Sequence, residues 1–180
     1  MGQYYTPYVQ RRKETKTYYS HRYGNGLKLM EHSYIGNNFV NAVCNEILDA
    51  PAHIVWCGDY AEVEDFKNTK ENRAERIITK CVKDYDIVKD GNETFDWNNK
   101  EYFLVNDTKK QYIAIDNKEG SWGAKIHPLP LLTAVGNGKG GGDYRGINEE
   151  QVGIWADDIL YITDNPPKNY KKIEIPFYGK

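Results

Sequence analysis

The order of apolar and polar residues along the chain predicts strands more often than helices. Runs rich in tyrosine and β-branched residues at 3–10 and 16–20, separated by the charged residues 11–14, indicate a hairpin. Short apolar runs bounded by turn residues predict further strands at 27–31, 54–57, 102–106, 111–116, 129–135, 152–155, 159–163 and 171–177. We therefore expect a mostly antiparallel sheet.

Two segments show the 3.6-residue period of an amphipathic helix. The first covers about 37–49, with Asn37 as a possible cap, Pro51 beyond its end, and an apolar face formed by Phe39, Val40, Val43, Cys44, Ile47 and Leu48. The second covers about 64–85, and its apolar face holds Ala74, Ile77, Ile78, Cys81, Val82 and Tyr85. Since we find no internal repeat, long linker or change of composition, residues 1–180 are predicted to form a single α+β domain.

Composition narrows the class of protein without assigning a reaction. The 180 residues can bury one core, and 15 tyrosines and 4 tryptophans make the chain unusually aromatic. A formal net charge of −2 argues against a protein held to nucleic acid by its overall charge, and against a strongly acidic mimic of DNA. No apolar stretch approaches ~18 residues and no leader pattern is visible, so we expect a cytoplasmic protein without a membrane partner.

The cysteines and histidines do not suggest a metal or a nucleophile. Cys44, Cys57 and Cys81 are odd in number and form no C-x-x-C pair, so they are predicted to be reduced, buried thiols. The four histidines have no ligand spacing, and no G-x-S-x-G elbow is present. We expect neither a metal nor a cofactor.

A glycine-dense segment at 136–146 is the most unusual feature of the sequence. Its first glycines match the dinucleotide fingerprint, but no helix and no βαβ unit can follow, and Lys139 is followed by Gly140 where a P-loop needs Ser or Thr. A nest of N–H groups with nearby cations could still bind a phosphate or carboxylate through Gly138, Lys139, Gly140, Gly141, Gly142 and Arg145. The alternative is a structural loop that packs close to another backbone.

Two further sets of residues are candidates for function. Asp59 and Asp143 occur in similar Gly-Asp-Tyr triplets and could pair as catalytic carboxylates, with His32 as a third member; both aspartates are also ordinary turn residues. A basic stripe and neighbouring tyrosines could bind a partner, although a solvated helix face would look the same. These partner-binding candidates are Arg73, Arg76, Lys80, Lys83, Tyr18 and Tyr19.

Several short motifs together resemble an uncharacterised family of short bacterial and phage proteins. They are the initial MGQYY, GLKLMEHS at 26–33, WCGDY at 56–60, HPLPLLT at 127–133, GGGDY at 140–144 and VGIW at 152–155. The resemblance covers most of the chain. It implies an accessory gene, often carried on mobile elements, and it assigns no catalytic role to any residue.

We therefore expect a non-enzymatic binding protein rather than an enzyme. In its most specific form this is an inhibitor, carried by a phage or mobile element, that docks on a host defence nuclease or nucleoprotein as anti-CRISPR proteins do. The alternative is an enzyme or binder of a nucleotide or other phosphate ligand, using the glycine loop with Asp59 and Asp143.

Overall fold

The computed structural model describes residues 1–24, 26–86, 93–115 and 125–177. Within these residues eight strands form one sheet: β1 Tyr5–Arg11, β2 Glu14–Thr17, β3 Ala52–Gly58, β4 Tyr102–Asn106, β5 Gln111–Ile115, β6 Ala134–Val135, β7 Ile159–Thr163 and β8 Lys171–Lys172. The α-helices of the described part are α1 Leu29–His32, α2 Asn38–Glu46, α3 Glu71–Val82 and α4 Pro128–Thr133. The predicted single α+β domain with a mostly antiparallel sheet is confirmed.

The sheet has the strand order β2-β1-β3-β7-β4-β5-β8, and β6 pairs with β3 beside β7. Its pairs are antiparallel apart from β3–β6 and β5–β8. One edge of β3 is shared, because Ala52 and His53 pair with β7 whereas Trp56 and Cys57 pair with β6. The chain therefore exits β6 beside the end of β3, where the start of β1 also pairs. This position places the glycine-dense segment next to the start of β1.

Side chains of the central strand alternate between two apolar cores, one on each face of the sheet. Ile54 and Trp56 belong to the larger core, which includes the apolar residues of α2 and α4. Val55 and Cys57 belong to the smaller core, where α3 contributes its buried residues. Helices thus cover both faces of the sheet around β1 and β3.

The predicted hairpin forms from β1 and β2, the predicted strands at 102–106 and 111–116 pair with each other as β4 and β5, and the predicted strands at 54–57 and 159–163 are correct. Asn37 caps α2 by accepting hydrogen bonds from the N–H groups of Phe39 and Val40. Asp116, the predicted end of the 111–116 strand, lies outside the described residues. The 171–177 strand is only two residues long, since pairing ends at Lys172.

Three of the predicted elements are wrong. Residues 27–31 were expected as a strand but lead into α1, because the Glu31 carboxylate accepts hydrogen bonds from the N–H groups of Leu27 and Lys28 and so starts a helix. Residues 129–135 form α4 before the short β6. Residues 152–155 form turns, and the N–H groups of Gly153 and Trp155 donate to carbonyls of α4 rather than to a strand.

The second predicted helix begins later and ends earlier than expected, since α3 covers Glu71–Val82 and Tyr85 lies beyond it. Residues 63–65 form a separate 3-10 turn in which Asp65 caps the N–H of Glu62, and α3 starts only at Glu71. Ala74, Ile77 and Cys81 are buried as predicted, whereas Ile78 and Val82 are half-buried.

Candidate functional site

The glycine loop receives the first residues of the chain. Gly2 and Gly141 form a parallel bridge, in which Gly141 donates its N–H to the Met1 carbonyl and accepts a hydrogen bond from the Gln3 N–H. A Cβ on Gly140 would lie 2.7 Å from the Gln3 backbone nitrogen, and one on Gly136 would lie 2.9 Å from Gln3 Oε1. The loop therefore packs close to another backbone, as the structural alternative predicts.

The N–H groups of the loop already hold a carboxylate that belongs to the same chain. Gly138 N and Gly140 N donate to Asp143 Oδ2 over 2.8 and 2.9 Å. Gln3 Nε2 donates to the same oxygen over 2.9 Å, and the Tyr5 hydroxyl donates to Oδ1 over 3.1 Å. Burial raises the pKa of the Tyr5 hydroxyl, and the negative charge of Asp143 raises it further. We call this arrangement the Asp143 clasp.

The other predicted ligand-binding residues of the loop also have partners within the fold. Lys139 forms ion pairs with Glu62 and Asp65, each at 2.7 Å. The Arg145 guanidinium donates to the Gly138 carbonyl. Gly142 has φ +83° and accepts a hydrogen bond from the Met30 N–H. Two N–H groups of the loop that the sequence offers to an external anion thus bind the carboxylate of Asp143 instead.

The three candidate catalytic residues have different surroundings, and no hydrogen bond of the described chain joins any two of them. Asp59 is exposed and accepts a hydrogen bond from the Tyr4 N–H, whereas Asp143 is buried in its clasp. His32 is fully buried; its Nδ1–H donates to the Gly26 carbonyl, and its Nε2 accepts from Trp56 Nε1 at 2.8 Å. Burial lowers the pKa of His32 to about 4, so the ring is neutral with both nitrogens engaged.

A second buried histidine, His127, has a defined role that the sequence does not indicate. His127 Nδ1 accepts a hydrogen bond from the Leu129 N–H and caps α4, so the ring proton lies on Nε2, 3.4 Å from Cys44 Sγ. Burial lowers the pKa of His127 to about 3 and raises the pKa of Cys44. The pair is therefore a thiol beside a neutral imidazole, which is not the thiolate that nucleophilic catalysis requires. No group of acidic, histidine and cysteine side chains among the described residues could hold a metal ion.

The predicted basic stripe on α3 divides into two pairs. Arg73 donates to both oxygens of Asp157 at 2.6 Å, and Lys80 forms an ion pair with Asp86 at 3.1 Å. Both cations therefore hold α3 to neighbouring segments of the chain. Arg76 on α3 and Lys83, which directly follows the helix, are exposed and remain candidates for contact with a partner.

The two candidate tyrosines also have different positions. A partner-binding ring has to be exposed, but Tyr18 is buried in the larger core and its hydroxyl donates to Glu46, so the proposed role of Tyr18 is corrected. Tyr19 is half-buried on the surface, where it stacks on Tyr85 at 4.3 Å and 11°. The alternation along residues 18–19 could have suggested that one ring points inward, but nothing in the sequence pairs Tyr19 with Tyr85.

Tyr19 belongs to a continuous row of rings that we call the aromatic ladder: Tyr85, Tyr19, His21 and Tyr4. Tyr19 stacks on His21 at 4.5 Å and 20°, and His21 meets Tyr4 edge-on at 5.5 Å. His21 is exposed and Tyr4 keeps 38% of its surface in solvent. Burial raises the pKa of Tyr19, and a hydrogen bond with Tyr85 adds to that rise. The exposed Arg22 follows His21, and Lys83 precedes Tyr85 by two residues.

No helix in the described part of the chain is both long and apolar enough to cross a membrane. Comparison of the chain with protein-family models, with curated proteins and with solved structures finds no match.

Proposed function

We propose that this protein is a non-enzymatic binding protein that recognises a protein partner through the aromatic ladder and the exposed cations beside it. The observation that carries this proposal is the stack of Tyr85, Tyr19 and His21, which ends in the exposed ring of Tyr4. Stacked rings are already ordered before binding, so they lose little conformational entropy when a partner covers them. Tyrosine and arginine are also the residues in which interface energy concentrates.

The surroundings of the candidate catalytic groups support binding over catalysis. His32, Asp143 and the Cys44–His127 pair are buried and use their polar atoms inside the fold. A nucleotide or phosphate ligand at the glycine loop remains the second candidate. It is less favoured because Asp143 would have to leave two N–H groups before a phosphate could reach them.

The charges near the ladder favour an acidic partner. Arg22 and Lys83, which neighbour ladder residues along the chain, are exposed, as is Arg76 on α3, and the three form no ion pair with another described residue. A nuclease in complex with its nucleic acid presents such an acidic surface. Together with the resemblance to phage proteins, this supports the specific form of the proposal, an inhibitor that docks on a host defence nuclease.

The experiment is capture of partners from a bacterial lysate on the immobilised protein, followed by mass spectrometry. Tyr19→Ala with His21→Ala, and separately Arg76→Glu with Lys83→Glu, should abolish capture of a partner that the wild type retains. Tyr34→Ala is the matched control, because Tyr34 has 37% of its surface exposed but is not part of the ladder. Circular dichroism of every variant excludes loss of the fold.

Two results would contradict the proposal. One is equal capture by the wild type, the ladder variants and the cation variants. The other is a thermal shift with a nucleotide panel that Asp143→Asn abolishes in a protein that still folds, because this would favour the phosphate-ligand alternative. A captured nuclease whose cleavage is unaffected by the bound protein would keep the binding role and remove the inhibitor role.

A further inference from the structure

The smaller core contains two of the three cysteines of the chain, on elements that face each other. Cys57 lies near the end of β3, and Cys81 lies in the last turn of α3. Their side chains are buried, with exposed fractions of 1% and 2%. Cys44, the third cysteine, belongs to the larger core on the opposite face of the sheet. The fold therefore brings two thiols together and keeps the third apart from them.

The two thiols of the smaller core are in direct contact. Cys57 pairs in register with Thr6 on β1 and with Val135 on β6, and strand alternation directs its side chain to the face that α3 covers. Its S–H donates to the Gly58 carbonyl over 3.6 Å, so its sulfur can still accept a hydrogen bond. The Cys81 thiol forms a hydrogen bond with the Cys57 thiol. The two sulfur atoms are thus neighbours, with no other group between them.

Burial limits the reactivity of this pair. It raises the pKa of Cys81, and the neighbouring Cys57 thiol raises that pKa further. The thiolate, which is the reactive form, is therefore scarce while the core is closed. Cys81 is followed by Val82, the last residue of α3, and the ends of helices open more easily than their centres. The last turn of α3 is therefore the place where a small oxidant can reach the pair.

We infer that Cys57 and Cys81 are an oxidation site, which forms a disulfide when hydrogen peroxide reaches the opened end of α3. The Cys81 thiolate attacks one peroxide oxygen and becomes a sulfenic acid, while the O–O bond breaks and the second oxygen takes up a proton and leaves as water. The Cys57 thiol then attacks the Cys81 sulfur. The S–S bond forms, and the sulfenic hydroxyl leaves with the Cys57 proton as a second water.

The two thiols lose two electrons in this reaction, and the peroxide gains them. Cys44 has no second thiol beside it, because its sulfur lies 3.4 Å from His127 Nε2 in the other core. The disulfide links the end of β3 to the end of α3. Such a cross-link restricts the unfolded chain more than the folded one, so the oxidised protein is the more stable form. This inference does not depend on the proposed function.

Oxidation of the folded full chain by hydrogen peroxide at about pH 8, where an opened thiol is partly ionised, tests the inference. The product is denatured, its free thiols are alkylated, and the linked peptides are identified by mass spectrometry. We expect alkylation at Cys44 alone and a linked peptide pair that contains Cys57 and Cys81. The oxidised protein should melt about 5–15 °C above the reduced protein, and dithiothreitol should reverse both changes.

The cysteines of the chain provide matched controls. Cys44→Ser should form the same linked pair as the wild type, because it leaves the smaller core intact. Cys57→Ser and Cys81→Ser each remove one of the two sulfur atoms, so neither should form a link within one chain. The same oxidant in concentrated urea should also link Cys44, because the unfolded chain no longer selects a pair.

Three results would overturn the inference. The first is a folded wild type that forms no link between Cys57 and Cys81 during prolonged exposure to the peroxide. The second is a link to Cys44 that is as frequent as the link between Cys57 and Cys81. The third is a melting temperature that falls on oxidation, because the native positions of the two sulfur atoms would then not fit the bond.

Discussion

Gln3 donates its side-chain amide to Asp143, 140 residues later in the chain, over 2.9 Å. The same amide nitrogen donates to the Gly136 carbonyl at 2.8 Å, while Oε1 accepts a hydrogen bond from the Tyr60 N–H. A single side chain thus joins the start of the chain, the end of β3 and the glycine loop.

Loss of the Asp143 charge should destabilise the fold. In Asp143→Asn an amide replaces one carboxylate oxygen and cannot accept from all four donors of the clasp, and each buried donor left unpaired costs about 1–3 kcal/mol. We expect a loss of about 2–4 kcal/mol in the free energy of unfolding, measured by urea denaturation. Asp59→Asn is the matched control and should cost less than about 1 kcal/mol, because Asp59 is exposed. Equal losses in the two variants would argue against the clasp.

Two adjacent glycines should respond differently to alanine. In Gly140→Ala the new Cβ would lie 2.7 Å from the Gln3 backbone nitrogen, so the loop must move, at a cost of about 1–3 kcal/mol. In Gly141→Ala the nearest atom is the Met1 carbonyl oxygen at 3.6 Å, an ordinary contact. That variant should lie within about 1 kcal/mol of the wild type. Urea denaturation of both variants measures the two losses in the free energy of unfolding. A larger loss in Gly141→Ala than in Gly140→Ala would contradict the prediction.

Two fully buried tryptophans differ in their hydrogen bonding. Trp56 Nε1 donates to His32, whereas Trp155 Nε1 has no hydrogen-bond partner among the residues that the structure describes. Both Trp→Phe changes remove the same volume, but only Trp56→Phe leaves a buried acceptor unpaired. It should therefore be more destabilising than Trp155→Phe by about 1–3 kcal/mol. The free energies of unfolding in urea give this difference, and a larger loss in Trp155→Phe would contradict it.

Stability should fall on acidification below pH 6.5. His32 has a pKa of about 4 and His127 a pKa of about 3 in the folded protein, against 6.5 for an ordinary histidine. At a pH between the folded and the unfolded pKa, the unfolded chain binds more protons than the folded protein. The stabilisation is therefore complete above pH 6.5 and is lost as the pH falls toward 4. Each histidine contributes a slope of about 1.4 kcal/mol per pH unit.

Urea denaturation between pH 4 and 7 measures this slope. Glutamine cannot be protonated in this pH range, so the stability of His32→Gln should fall less steeply with pH than that of the wild type. The slope should be smaller by about 1.4 kcal/mol per pH unit, whatever the variant's absolute stability. An unchanged slope would mean that His32 is not buried and neutral in the folded protein.

Strands whose own residues carry a clear apolar pattern could be predicted from the sequence. The β4–β5 hairpin and the buried run of β3 have local apolar patterns, and the structure retains them. The prediction of a strand at 129–135 was wrong because a short apolar run fits either a strand or a buried helix. Pro128 and Pro130 fall in the first turn of α4, where backbone N–H groups have no partner within the helix, so proline costs little there.

The candidate site was less predictable, because its residues meet through distant contacts. The composition of the glycine loop indicated a close approach and an anion, but only the fold shows that Gln3 makes the approach and that Asp143 is the anion. Arg73 and Arg76 looked equivalent on the helix. The position of Asp157 in the folded chain distinguishes them, since it takes Arg73 into an ion pair and leaves Arg76 exposed.

The distance between Gln3 and Asp143 along the chain also sets an order of events during synthesis. A ribosome that adds about 5–20 residues per second needs on the order of ten seconds to travel from one to the other. Throughout that interval Gln3 and Tyr5 have been made but their carboxylate has not. The surroundings of the first strand are therefore completed late in translation, and a nascent chain that stops before residue 143 lacks the group that closes them.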